Sequence, residues 1–128
     1  MRKINIKNKL INLALSHSFW VTHFNSGSCS GCDIEILTLF TPRYDLERWG
    51  ISLRSTPRHT DGLLVTGPLT NQSISHLLRA YSQMPEPRFV FCVGTCACTG
   101  GVYQECYNIQ TGVDKFIPVA LYIPGCPP

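Results

Sequence analysis

Apolar positions along the chain change period several times, and each change marks an element. Phe19 to Phe24 is rich in aromatic and β-branched residues and predicts a first strand. From Cys32 to Phe40, Ile34, Ile36, Leu37, Leu39 and Phe40 predict a helix that stops before Pro42. Asp45 to Trp49 predicts a further helical turn ended by Gly50, and Ile51 to Arg54 a second strand. Leu63-Leu64-Val65 reads as a buried strand feeding the Gly67-Pro68 turn. Ile74, Leu77, Leu78 and Tyr81 recur at helical spacing over Asn71 to Ser82, with Thr70 or Asn71 available as N-cap. Phe89 to Val93 predicts another buried strand, followed by a glycine-rich stretch from Gly94 to Gly101, and Pro118 to Ile123 predicts the last strand. Strands alternating with helices imply an α/β fold, an open and mainly parallel sheet with helices on both faces.

Residues 1–17 stand apart from this body. Their apolar residues alternate loosely with lysines and asparagines, which fits a basic arm or a partner-docking helix drawn to anionic lipid. Residues 18–128 then form a single domain. Charge is uneven in the same way: Arg2, Lys3, Lys7 and Lys9 precede the first acid, Asp33, and the rest is close to neutral. A nucleic-acid partner needs a basic face on the folded part and is set aside. Only 15% of residues are charged, against about a quarter in ordinary soluble domains, so the domain is expected to bury much of its exterior against partners. No export signal is evident, and no apolar run approaches the roughly 20 residues of a membrane span.

Seven cysteines are an odd number, and a disulfide-stapled secreted domain is usually shorter, which points to a reducing, cytoplasmic compartment. Cys29-Ser30-Gly31-Cys32, Gly94-Thr95-Cys96 and Pro124-Gly125-Cys126 each follow a predicted strand. In an open parallel sheet these carboxyl ends share one edge, so loops far apart in sequence can meet there. One close pair and two single cysteines in Gly- or Pro-marked turns are a way to build a four-thiolate cradle for a cubane iron–sulfur cluster. Glycines around the cysteines let the backbone approach such a cluster and aim N–H groups at its sulfurs.

Two other chemistries compete. Zinc would take Cys29 and Cys32 with Cys96 and Cys98, leaving the Pro-Gly-Cys-Pro-Pro turn without a role. A thioredoxin-like thiol oxidoreductase would use Cys29-x-x-Cys32 alone, at a helix N-terminus. Cys92, inside a predicted strand, reads as a small buried hydrophobe. Cys98 is close enough in sequence to Cys96 to substitute as a ligand, and Cys106 suggests nothing beyond packing.

Four ordered motifs carry a resemblance: Ser28-Cys-Ser-Gly-Cys-Asp-Ile-Glu-Ile36, Thr56 to Gly67, Gly94-Thr-Cys-Ala-Cys-Thr-Gly-Gly101, and Tyr122-Ile-Pro-Gly-Cys-Pro-Pro128. Together, over roughly residues 19–128, they resemble the small subunit of membrane-bound, energy-converting [NiFe]-hydrogenases of the formate-hydrogenlyase and carbon-monoxide-linked type. That family is homologous to the complex I subunit that carries the terminal cluster. The complex I relative has two adjacent cysteines where this chain has C-x2-C, which favours the hydrogenase branch. The long twin-arginine signal and extra cluster-binding domain of periplasmic uptake enzymes are lacking.

The resemblance implies a flavodoxin-like fold and one [4Fe–4S] cluster held by Cys29, Cys32, Cys96 and Cys126. Its implied partners are a [NiFe]-hydrogenase-like large subunit, a ferredoxin-like polyferredoxin subunit and membrane-arm subunits. The complex would lie peripherally on the cytoplasmic side of the membrane. The subunit would relay electrons and not be an enzyme by itself. Related assemblies reduce quinone, sulfur or a deazaflavin cofactor, and these stay open as alternatives. Relatives continue beyond the position of Pro128 into a further helix, so either a partner covers the far side of the cluster or the chain continues. Gly31, Gly94 and Gly125 are expected around the cluster. Glu35 is expected in the first turn of its helix or at the large-subunit interface. Arg58 and His59 are expected either as surface contacts or as charges that tune the cluster, with His59 placed to couple a proton to electron arrival.

Overall fold

The computed structural model describes residues 6–128, with side chains from Leu10 onward. The chain begins with helix α1 (Ile6–His17) and enters strand β1 (Phe19–Asn25). Helix α2 (Gly31–Leu39), a 3-10 turn (Leu46–Trp49) and β2 (Ile51–Leu53) follow. After a second 3-10 turn (Pro57–His59) come β3 (Gly62–Thr66), the two-residue β4 (Leu69–Thr70), α3 (Asn71–Gln83) and β5 (Phe89–Val93). The last part carries α4 (Thr95–Thr99), β6 (Ile109–Gln110) and β7 (Leu121–Ile123).

Five strands form one sheet in the order β2-β1-β3-β5-β7, and β4 and β6 pair separately and antiparallel. Every neighbouring pair in the large sheet is parallel. Counting only its own strands, the order is 2-1-3-4-5, the doubly wound arrangement of flavodoxin-like folds. The order reverses between β1 and β3, so the chain leaves these two strands in opposite directions and opens a crevice beyond their carboxyl ends.

The central strands β3 and β5 are nearly continuous apolar runs, as strands covered on both faces must be. Leu63, Val65, Val90 and Cys92 are buried and share one cluster with Leu69, Leu77, Met84, Val113 and Ile117. Leu77 is the fully buried position of α3, Ile74 and Tyr81 pack partly against the same core, and Leu78 faces solvent. Thr70 supplies the α3 cap: its hydroxyl accepts from Ser73 N, and Ser73 Oγ accepts from Thr70 N. A second cluster of Cys32, Ile36 and Val93 fastens α2 against the sheet.

The first element takes the helical of its two expected forms, and two others differ from the sequence expectations. Residues 6–17 form a helix, with Leu10 and Leu13 exposed at 61% and 58%; residues 1–5 of the expected arm lie outside the described residues. Thr95–Thr99 is helical, although Gly94, Gly100 and Gly101 around it gave a loop-like composition. The last strand begins at Leu121, three residues after Pro118, with Ala120 N already donating to Val90 O.

Candidate metal centre

Cys29 lies four residues past the end of β1, Cys96 three past β5 and Cys126 three past β7. Because these strands run parallel, all three loops emerge on the same edge of the sheet. Cys32 joins them from the first turn of α2. The four cysteines line one cavity of about 170 Å³, with Gly31, Gly67, Pro68, Tyr103, Gly125 and Pro127 in its wall. By liquid volume it has room for about half a dozen waters.

The backbone around the cavity is shaped for close approach of sulfur. Gly94 has φ +89° and ψ 152°, a region essentially restricted to glycine, and a Cβ there would sit 2.5 Å from Cys32 Sγ. At Gly101, φ is +55° and a Cβ would come within 3.1 Å of Cys96 Sγ. The Cys96 and Cys126 loops are joined through Thr95. Its N–H donates to Gly125 O at 2.8 Å, its hydroxyl donates to the same carbonyl at 3.0 Å, and Gly125 N donates back to Thr95 Oγ1 at 3.2 Å.

The thiols also sense one another. Burial pushes the Cys32 thiol up, with further increments from Cys29, Cys96, Cys126 and Asp33. Cys96 is likewise raised, by burial first and then by Cys126 and Cys29. Among the described residues, no Lys, Arg or His lines the cavity to offset their charge. Four thiolates therefore coexist there only with a strong positive charge among them, which is what a metal centre brings. Soft sulfur donors in a glycine-lined cavity fit iron–sulfur chemistry. The four cysteines stand around the wall of one cavity.

Cys98 is not in that wall. Its thiol turns inward and approaches Cys92 O at 3.7 Å, packed against the main core. The zinc set that needed Cys98 is therefore not brought together. Cys92 is fully buried, and its thiol is pushed up to about 12 by burial, then by Cys98 and Asp114. Cys106 is exposed, outside the cavity wall.

The other expected site residues divide. Gly31 and Gly125 line the cavity, and Gly94 closes on Cys32. Glu35 is exposed one turn along α2, where it lines a separate apolar groove of about 330 Å³ with Ile36, Tyr44, Val93, Ile123 and Pro128. Arg58 and His59 sit on the exposed 3-10 turn leading into the amino end of β3. The five residues of β3 separate them from the cysteine edge, roughly 16 Å at about 3.3 Å per residue. A tuning role beside the cluster does not fit that place, and an ordinary surface or interface contact does. Sequence reasoning missed Thr95, whose hydroxyl bonds only through the fold, and it gave no role to His23, which meets Asp33.

A family model described as the 20-kDa subunit of NADH–ubiquinone oxidoreductase matches residues 29–128. A probable membrane-bound hydrogenase subunit of Pyrococcus furiosus is 50% identical over 114 residues, covering 89% of this chain and 68% of that protein. An uncharacterized protein of Methanocaldococcus jannaschii is also 50% identical, over 111 residues, covering 87% and 74%. Among solved structures, a chain of a membrane-bound sulfane sulfur reductase, an archaeal respiratory membrane complex, superposes with a TM-score of 0.81 at 40% identity. That match covers 93% of this chain and 66% of the other. An NAD+-reducing [NiFe]-hydrogenase chain superposes at 0.64 with 18% identity, over 87% and 84% of the two chains, a likeness of fold alone.

Proposed function

The chain belongs to the family of the 20-kDa subunit of NADH–ubiquinone oxidoreductase, and from that premise we propose that it is the electron-relay subunit of a membrane-associated complex. One observation carries this reading: four thiols, from the first turns of α2 and α4 and from two loops, line a single cavity at the carboxyl edge of the sheet. Cys29, Cys32, Cys96 and Cys126 would hold one [4Fe–4S] cluster, which when bound supplies one-electron transfer. Electrons would pass between ferredoxin-like subunits and the [NiFe] site of a partner large subunit, for proton reduction or hydrogen oxidation.

The chain's own contribution is to hold and to shield. Gly94 and Gly101 bring backbone against the cysteine sulfurs, and Thr95 ties two ligand loops at fixed separation. Pro68, Tyr103 and Pro127 wall the cavity and would shield a bound cluster on that side. Ile34 and Leu37 on α2, Val102 and Tyr107 after α4, and Leu121 and Tyr122 on β7 are large and exposed, Val102 at 88% and Tyr107 at 100%. Apolar surface this extensive suits docking against other subunits. No helix among the described residues is long and apolar enough to cross a membrane. As its relatives are named for membrane-bound complexes, attachment would run through partner subunits, on the cytoplasmic face.

A second reading keeps the relay and changes the reaction, since the sulfane sulfur reductase chain is 40% identical. The test is anaerobic purification of the chain with its large subunit, followed by metal analysis and two assays. Nickel with hydrogen-dependent dye reduction supports the hydrogenase. Sulfide release from a sulfane substrate without nickel supports the second reading. A complex without iron and labile sulfide overturns both.

A further inference from the structure

Directly after Cys32, the Asp33 carboxylate is held from two strands at once. Oδ1 accepts the Thr66 hydroxyl at 2.6 Å and lies 3.0 Å from His23 Nε2, and Oδ2 accepts from Asn25 Nδ2 at 2.7 Å. His23 Nε2 is also 2.9 Å from Thr66 Oγ1. The Thr66 hydroxyl gives its proton to Asp33, so Nε2 is the protonated ring nitrogen and donates to both oxygens. His23 and Asp33 are 26% and 14% exposed, and the other ion pair among the described residues, Arg88–Glu86, involves a largely exposed glutamate.

The chain of bonds continues into the ligand loop. Asn25 Oδ1 accepts from Gly27 N at 2.9 Å and Ser28 N at 2.8 Å, and Ser28 Oγ accepts from Ser30 N at 3.0 Å. Thus the segment from Gly27 to Cys32 is fastened at both ends to the same group of side chains on β1 and β3. Joining α2 to the sheet needs only apolar contacts, which Ile36 already supplies. A partly buried carboxylate with three donors does more than join: it fixes direction, because hydrogen bonds to a charged group are both stronger and more directional than apolar contact.

We propose that Asp33, pinned by His23, Thr66 and Asn25, is a positioning residue that locks the Cys29–Cys32 loop onto the sheet and sets a negative charge beside Cys32. This rests on the electron-relay reading. A negative charge beside the cluster disfavours its reduced form and holds its potential down.

The experiment uses the complex isolated anaerobically with its large subunit, and reads the rate of iron loss to a chelator, the EPR spectrum and the midpoint potential. Iron and labile sulfide in the unaltered complex are measured first; their absence defeats the relay reading, independently of any variant. Thr66→Val removes the hydroxyl at constant shape and is expected to release iron about ten-fold faster, the change that loss of one hydrogen bond to a charged group brings. Thr66→Ser restores the unaltered rate. Asp33→Asn turns one of the two acceptor oxygens into a donor, so either Asn25 or the Thr66–His23 pair loses its acceptor; it is expected to release iron faster and to shift the potential to a more positive value. Combining Asp33→Asn with Asn25→Asp reverses that donor–acceptor pair without removing it and is expected to recover slow release. Three results overturn the proposal: Thr66→Val as slow as the unaltered complex, a double variant that folds or holds iron no better than Asp33→Asn, or an unmoved potential in Asp33→Asn with its cluster intact.

Discussion

Thr95 and Gly125, thirty residues apart, exchange three hydrogen bonds at 2.8, 3.0 and 3.2 Å, so the start of α4 that carries Cys96 is tied directly to the loop of Cys126. The threonine hydroxyl both donates and accepts in this exchange. Thr95→Val keeps the backbone bond and removes the other two. It is expected to destabilise the chain by about 1–2 kcal/mol in urea unfolding, with Thr95→Ser close to the unaltered protein. A Thr95→Val variant with unchanged stability and unchanged iron content would mean that the two loops are held by something else.

Gly94 and Gly31 both border cysteine sulfurs and differ in what a methyl group would meet. At Gly94 it would collide with Cys32 Sγ at 2.5 Å, in backbone that only glycine adopts easily. At Gly31 it would touch Cys29 Sγ at an ordinary 3.6 Å, with normal helical backbone. Gly94→Ala should therefore cost about 1–3 kcal/mol and most of the bound iron. Gly31→Ala should retain both. Thermal unfolding and iron analysis of the two variants side by side decide it.

Ser30, between Cys29 and Gly31, has φ +70° and is one of two non-glycine residues in the left-handed region among those described. A left-handed residue with a Cβ is strained by about 1–2 kcal/mol, and glycine loses part of that relief to its freer unfolded chain. Ser30→Gly is expected to stabilise the metal-free chain by about 0.5 kcal/mol, seen as a higher urea midpoint at unchanged m-value. A lower midpoint would mean that the serine side chain makes up for its own strain.

Cys92 gives a pH signature independent of the metal centre. Its folded-state thiol is raised from 9.0 to about 12, so the unfolded chain loses that proton first as pH rises. Stability linked to this group is intact below about pH 9 and is lost as pH climbs toward 12, by at most about 1.4 kcal/mol per unit. Cys92→Ala should be less stable at pH 7 by about 1 kcal/mol, for the lost packing, and should close that gap by pH 10. Urea titrations of the metal-free proteins at pH 7, 9 and 10 check the sign. A constant gap refutes it.

How much of the fold is legible in the sequence depends on the range of each interaction. Buried parallel strands are dense in β-branched and aromatic residues, so β1, β3 and β5 are legible almost to the residue, and the turns after them mark where the cysteines emerge. Helix α4 is hidden because one turn of Thr-Cys-Ala-Cys-Thr between glycines carries no periodicity. β4 and β6 are two residues each, too short to show alternation. Arg58 and His59 lie in one of the motifs that carried the resemblance, but a motif does not say which end of a strand it occupies. The His23–Asp33 contact joins β1 to α2, and its sequence signal is slight, the polar His23 and Asn25 near the end of a strand that opens on Phe19, Trp20 and Val21.

The most direct test of the central claim is iron and acid-labile sulfide analysis, with EPR of the dithionite-reduced protein, on Cys126→Ser and Cys106→Ser in the complex with the large subunit. The relay account predicts about four irons and four sulfides per chain with an S = 1/2 signal in the unaltered protein and in Cys106→Ser, and loss or conversion of the cluster in Cys126→Ser. Zinc in place of iron, or a metal-free protein with a titratable Cys29–Cys32 disulfide, would contradict it.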